Sequence, residues 1–122
     1  MQQGQKTQRV KRVDGLNVSE LRPGDVLLVH THNGRYTIVY LGYGTARIFG
    51  SPDTGPVEEP ATANILGSSW DGKSLVVGFI GEGRCLEVEL PDRHEFISTS
   101  PIESIWRVGR EPGFDAAARI RG

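Results

Sequence analysis

The sequence contains very little cysteine and no long apolar segment. Cys85 is the only cysteine among 122 residues, which excludes an internal disulfide and a zinc site built from several cysteines. No apolar run approaches the ~20 residues that a membrane-spanning helix needs. Because the first residues, Met1 to Gly4, lack the apolar segment of a signal peptide, we expect a cytoplasmic protein with no membrane partner.

An excess of one charge sign is also absent, but the charges are unevenly distributed. Residues 1–13 carry a net charge of +4, residues 14–106 carry −7, and residues 107–122 carry +2. Nucleic-acid binding requires Lys and Arg beside the phosphates, so the acidic body disfavours nucleic acid as a partner. One alternative stays open, in which a nucleic-acid-associated protein binds through its basic ends at 6–12 and 107–121.

Glycine and proline, in contrast, are frequent and separate many short apolar segments. The chain has 16 glycines and 7 prolines. Turn residues that recur at intervals of roughly 8–12 residues predict an all-β fold. We expect a compact barrel or a two-sheet sandwich of seven or eight mainly antiparallel strands. This single domain is placed at residues 14–108, between a disordered basic tail at 1–13 and a flexible or short helical tail at 109–122.

A β-hairpin around Asn33-Gly34 is the strongest local prediction. The flanking segments 26–32 and 35–41 are rich in β-branched and aromatic residues. Asn-Gly between two such strands predicts a two-residue type I′ turn, which sets His32 opposite Arg35. One face of this hairpin then carries the candidate core residues Leu27, Val29, Tyr36, Ile38 and Tyr40.

The rest of the chain predicts further strands and turns. Residues 50–60 contain three prolines and three acidic residues, which predict a long acidic loop. Asp71-Gly72 predicts a tight turn before a strand at 74–80. The segment 85–90 alternates, so Leu86, Val88 and Leu90 share one face, while Cys85, Glu87 and Glu89 share the other.

The histidines are the only candidates for a metal site. His30 and His32 lie two residues apart on a predicted strand, so both rings leave the same face. Such a pair needs at least a third ligand, for which His94 and Glu87 are the candidates, and a divalent metal is then the one cofactor considered. In the alternative interpretation, the pair consists of two solvated residues beside a hairpin and there is no cofactor.

No catalytic residues are predicted. Glu87 and Glu89 share a face with Cys85, and neighbouring carboxylates raise the pKa of a thiol, which disfavours a nucleophile. The serines of segments 68–69 and 98–100 lie in predicted turns, where hydroxyl groups mostly bond to the nearby backbone. We therefore expect a non-enzymatic protein.

The spacing of Gly24, His30 and His32 resembles the first motif of the cupin family, which is Gly, five residues, His, one residue, His. This resemblance implies a cupin-like metal-binding protein that uses His30 and His32. The position of the family's Glu ligand carries no carboxylate here. The second cupin motif, Pro-x-Gly-x-x-His, is approached only by residues 91–94, which lack the Gly and are one residue short.

Three segments resemble, in the same order, a group of small uncharacterised bacterial all-β proteins. They are Pro-Gly-Asp at 23–25 with the strand and hairpin that follow, Gly-Ser-Ser-Trp at 67–70, and Thr-Ser-Pro-Ile at 99–102. The resemblance covers about residues 21–106. It implies a compact bacterial β-domain and no particular activity.

A binding or interaction module is the function that these observations favour. The predicted contact surface combines the acidic residues Asp53, Glu58 and Glu59 with Trp70, and it includes exposed strand edges. A free strand edge can add a strand from another chain, so the expected partner is a protein or a second copy of this chain.

Overall fold

Most of the residues that the structure describes lie in β-strands. The computed structural model describes residues 8–51 and 57–110. The strands are β1 (Gln8–Val13), β2 (Gly15–Asn17), β3 (Val26–Thr31), β4 (Arg35–Gly42), β5 (Thr45–Ser51), β6 (Val57–Trp70), β7 (Ser74–Val77), β8 (Phe79–Gly81), β9 (Cys85–Leu90) and β10 (Glu95–Arg110). The helices within these ranges are two 3-10 turns, Val18–Glu20 and Pro91–Arg93, and neither has the length or apolarity to span a bilayer.

Six of these strands close into a ring. β3, β4, β5, β6, β9 and β10 pair in this order, and β10 returns to β3, with every pair antiparallel. β1 joins β10 and β7 joins β6, which gives a sheet of eight strands, while β2 and β8 form a separate small sheet. The predicted all-β fold is confirmed, and the closed ring makes it a barrel.

The interior of the barrel is formed by the inward-facing side chains of its strands. All five residues predicted for the hairpin core are buried: Leu27, Val29, Tyr36, Ile38 and Tyr40. The predicted inward residues of β9, Leu86, Val88 and Leu90, are also buried. Period-two alternation in these strands therefore identified the core face correctly.

The turn between β3 and β4 differs from the prediction. His30, not His32, pairs with Arg35, so four residues, 31–34, lie between the last paired residues instead of two. Neither Asn33 nor Gly34 has the positive φ that a type I′ turn requires. Within this turn, Thr31 donates both its N–H and its hydroxyl hydrogen to Gly34 O, and Asn33 N–H donates to Ser100 Oγ of β10 at 2.9 Å. The register shifts by two residues, which preserves the buried face.

Two segments predicted to be irregular contain strands. Residues 8–13, assigned to the basic tail, form β1, while residues 1–7 and 111–122 of the predicted tails lie outside the described residues. β6 begins at Val57, within the predicted acidic loop. Pro60 is accommodated there because this part of β6 pairs with β5 alone, and β9 joins only from Asn64 onward.

Candidate interaction surface

Two of the three histidines predicted as metal ligands lie near each other, because His30 and His32 line one open pocket with Arg35 and Glu103, and His94 does not line it. His30 lies on β3, which ends at Thr31, and His32 lies in the turn that follows. His32 Nδ1 is 3.2 Å from a carboxylate oxygen of Glu103. His94 follows the second 3-10 turn. Within residues 8–51 and 57–110, no group of three or more His, Cys, Asp or Glu side chains could hold a metal ion.

The predicted acidic surface is described only in part. Asp53 lies outside the described residues, and Glu58 and Glu59 lie on β6. Trp70 is the last residue of β6, and its side chain is about half exposed, as the sequence suggested. The acidic surface therefore stays a prediction, whereas Trp70 can be placed beside its neighbours.

The polar cluster around Cys85 does not activate a nucleophile. Burial raises the pKa of the Cys85 thiol, and the carboxylates of Glu87 and Asp71 raise this pKa further. Ser69 and Ser98 both donate hydrogen bonds to Glu87, so their hydroxyl groups are engaged by an acceptor that also lies next to the thiol. This arrangement keeps the thiol protonated at neutral pH and stabilises the outer face of β6 and β9.

The clearest exposed feature is β7, a strand at the edge of the large sheet. All four of its residues are exposed, including Leu75, Val76 and Val77, and Val77 retains 80% of its accessible surface. β7 pairs with β6 on one side, and no described strand pairs with its other side. An exposed apolar edge strand is a template for pairing with another chain.

The hydrogen bonds between β6 and β7 define which backbone groups face outward. Gly78 N–H donates to Leu66 O at 2.9 Å, so these two residues form a hydrogen-bonded pair. In an antiparallel ladder, hydrogen-bonded pairs alternate with non-hydrogen-bonded pairs. By this alternation Ser74 and Val76 bond to β6, whereas Leu75 and Val77 direct their N–H and C=O groups to the open edge. The outer edge of β7 therefore presents two donors and two acceptors.

The opposite edge of the same sheet, β1, is protected in the usual way. Lys11 and Arg12 lie on β1 and are exposed, and Arg12 forms an ion pair with Glu82 at 3.2 Å. Charged side chains on an edge strand oppose pairing with a second chain. β7 has no charged residue, so the two edges of one sheet differ in the feature that controls strand addition.

The β4–β5 turn, which neighbours the same edge of β6, also carries exposed apolar side chains. The β4–β5 turn and β7 follow each other along the same side of β6, because Ile65 N–H donates to Gly44 O and Val77 pairs with Gly67. Tyr43 in that turn is fully exposed, and Leu41 beside it is 48% exposed. Exposed apolar side chains therefore occur both on β7 and in this turn, along the same edge of β6.

A cation–π stack lies beside the β6–β7 hairpin. The Arg84 guanidinium lies 4.6 Å from the ring centroid of Trp70 and 5.3 Å from that of Phe79. Ser68, which pairs with Val76, donates its hydroxyl hydrogen to Phe79 O. These contacts link β6 to Phe79, the first residue of β8, which follows β7 across Gly78.

Sequence reasoning did not identify β7 as the exposed edge. The segment 74–80 was predicted as one strand, but Gly78 adopts a positive φ of 74° and divides it into β7 and β8. β8 is partly buried against β2, and β7 is exposed. The glycine inside an apolar run was the available indication of this break.

Comparison with known protein families, with curated protein sequences and with solved structures finds no match to this chain. The two resemblances seen in the sequence stay predictions. The function is therefore argued from the residues of this chain alone.

Proposed function

We propose that this protein is a non-enzymatic interaction module that binds an extended segment of a partner protein by strand addition at β7. The observation that carries this proposal is the exposed, uncharged edge of β7, with its two outward-directed residues, Leu75 and Val77. The opposite edge at β1 supports the proposal, because β1 carries exposed charged side chains that oppose edge pairing and β7 carries none.

Main-chain hydrogen bonds would supply much of the affinity in such a complex, and side chains would supply the specificity. An added strand would pair with the N–H and C=O groups of Leu75 and Val77. Its alternate side chains would contact the same two side chains on one face and Val76 on the other. The partner segment should therefore be extended and apolar.

The state of the nucleophilic side chains supports a role without catalysis. The pKa of the Cys85 thiol is raised by burial and by adjacent carboxylates, which disfavours the reactive thiolate. Ser69 and Ser98 donate to Glu87 and have no histidine or lysine base in the hydrogen bonds described.

Comparative capture tests the proposal. Three tagged chains are each incubated with a lysate of cells that naturally produce the protein. They are the wild type, the double variant Leu75→Lys/Val77→Lys and the control Val10→Lys. Val10 is 61% exposed on the protected edge β1, so its substitution adds a lysine without touching β7. Circular dichroism and thermal unfolding establish that all three chains fold.

We expect the wild type and Val10→Lys to capture the same partners in similar amounts. The double variant should capture at least about tenfold less of them, since lysines oppose edge pairing. Hydrogen exchange on the captured complex should show protection of the Leu75 and Val77 amides. Capture of the same proteins by all three chains, with both amides still unprotected, would contradict the proposal.

A further inference from the structure

We infer that the segment added to β7 is β7 of a second copy of this chain, so that two barrels join in a symmetric dimer. This inference rests on the proposed function, because it identifies the partner of the same edge. It is carried by the backbone pattern, the side chains and the charge of β7.

The hydrogen-bonding pattern of β7 is self-complementary. Within β7, Leu75 and Val77 direct their N–H and C=O groups outward, and Val76 lies between them. In an antiparallel arrangement with a two-fold axis at Val76, Leu75 lies opposite Val77 of the second copy. Each such pair exchanges two hydrogen bonds, so the outward groups of both strands are all satisfied. The same patch serves both chains, which closes the assembly at a dimer.

The side chains and charges fit the same arrangement. On one face, Leu75 and Val77 of both copies lie side by side, and on the other face Val76 meets Val76 of the second copy. β7 itself carries no charge, and the nearest lysine, Lys73, lies beyond the Val77 end of the second copy's β7, away from the second Lys73. The arrangement therefore brings apolar side chains together without like-charge contacts.

The short length of β7 limits the affinity expected for this dimer. A four-residue strand is shorter than the strands in most sheets, and its pairing buries less than the roughly 800 Å² per partner of a standard interface. We therefore expect a weak, concentration-dependent dimer, with a dissociation constant on the order of 10–100 μM.

Sedimentation of the purified full-length chain measures this association. Over about 5 to 500 μM, the wild type and Val10→Lys should shift from monomer to dimer, and Val77→Lys should bind at least about tenfold more weakly. Val77 is 80% exposed, so its substitution leaves the core intact. A wild type that stays monomeric throughout, or a Val77→Lys variant that dimerises equally well, would refute the inference.

Cysteine cross-linking tests the register. Across the proposed axis the two copies of residue 76 form a non-hydrogen-bonded pair with Cα atoms about 4.5 Å apart, within the range for a disulfide. In a Cys85→Ser background, Val76→Cys should form a covalent dimer on mild oxidation. Leu75→Cys should not, because its counterpart in the second copy is a diagonal neighbour at about 7–8 Å. Equal cross-linking of the two variants would exclude the proposed register.

The two proposals fail in different ways. If the wild type is monomeric but partner capture depends on Leu75 and Val77, the dimer is refuted. Strand addition of a segment from another protein then remains supported. Loss of both results would show that β7 is not a binding edge.

Discussion

At the scale of single residues, Cys85 shows how its environment controls a reactive group. The thiol is buried among neighbours that include the carboxylates of Glu87 and Asp71, and each of these factors raises its pKa. Folding therefore favours the protonated thiol. This contribution to stability is complete below the ordinary thiol pKa and is lost as the pH rises through the folded value, because the unfolded thiol ionises first.

The substitution Glu87→Gln should lower the pKa of Cys85, because it removes the larger of the two carboxylate contributions. Alkylation of the native thiol by iodoacetamide should then be faster at a given pH below that pKa. Glu89→Gln is the matched control on the same strand face, where Glu89 accepts a hydrogen bond from Asn64. Equal alkylation rates in both variants would contradict this account of the pKa.

At the scale of elements, two turns with similar sequences behave differently. Asp71-Gly72 forms the predicted tight turn: both residues have positive φ, at 53° and 74°, and Lys73 N–H donates to Trp70 O at 2.9 Å. The type I′ turn predicted at Asn33-Gly34 is wrong. Two local bonds from Thr31 to Gly34 O stabilise a longer connection, and tertiary bonds to Ser100 and to the carbonyl of Pro101 add to them.

The variant Ser100→Ala should loosen the β3–β4 turn, because it removes the acceptor of the Asn33 N–H. Loss of one hydrogen bond of roughly 1–1.5 kcal/mol should accelerate exchange of the Asn33 amide by about tenfold. Hydrogen exchange followed by NMR measures this rate. Ser98→Ala is the control, since Ser98 bonds to Glu87 away from the turn. An unchanged Asn33 rate would show that the turn is stable by itself.

At the scale of the whole molecule, β9 is one of the six strands of the closed ring, where it pairs with both β6 and β10. Leu86 on β9 is fully buried in the shared core. We expect Leu86→Ala to lower the free energy of unfolding by about 2–5 kcal/mol, through lost burial and a residual cavity.

Urea denaturation of the purified chain at low concentration measures this change. Leu75→Ala is the comparison, because Leu75 is 46% exposed at the edge of β7 and should change the stability much less. A similar loss in both variants would indicate that β7 belongs to the stable core and is not an open docking edge.

The sequence by itself determined the fold class and the buried faces of the strands. Turn residues and period-two alternation are local properties, so the hairpin core and the inward face of β9 followed from them. The predicted β3–β4 register was wrong by two residues, and a shift by an even number leaves the same side chains facing the core.

Only the tertiary structure decided which strands close the ring, where β1 pairs and which edge stays open. Gly67 illustrates the reason. It has a φ of 141° at a register shift in β6, and a Cβ at this position would collide with the carbonyl oxygen of Val76. Its need for glycine arises from a neighbour nine residues away. The exposed edge of β7 likewise depends on which strands lie beside β6, and pairing between distant segments cannot be read from either segment alone.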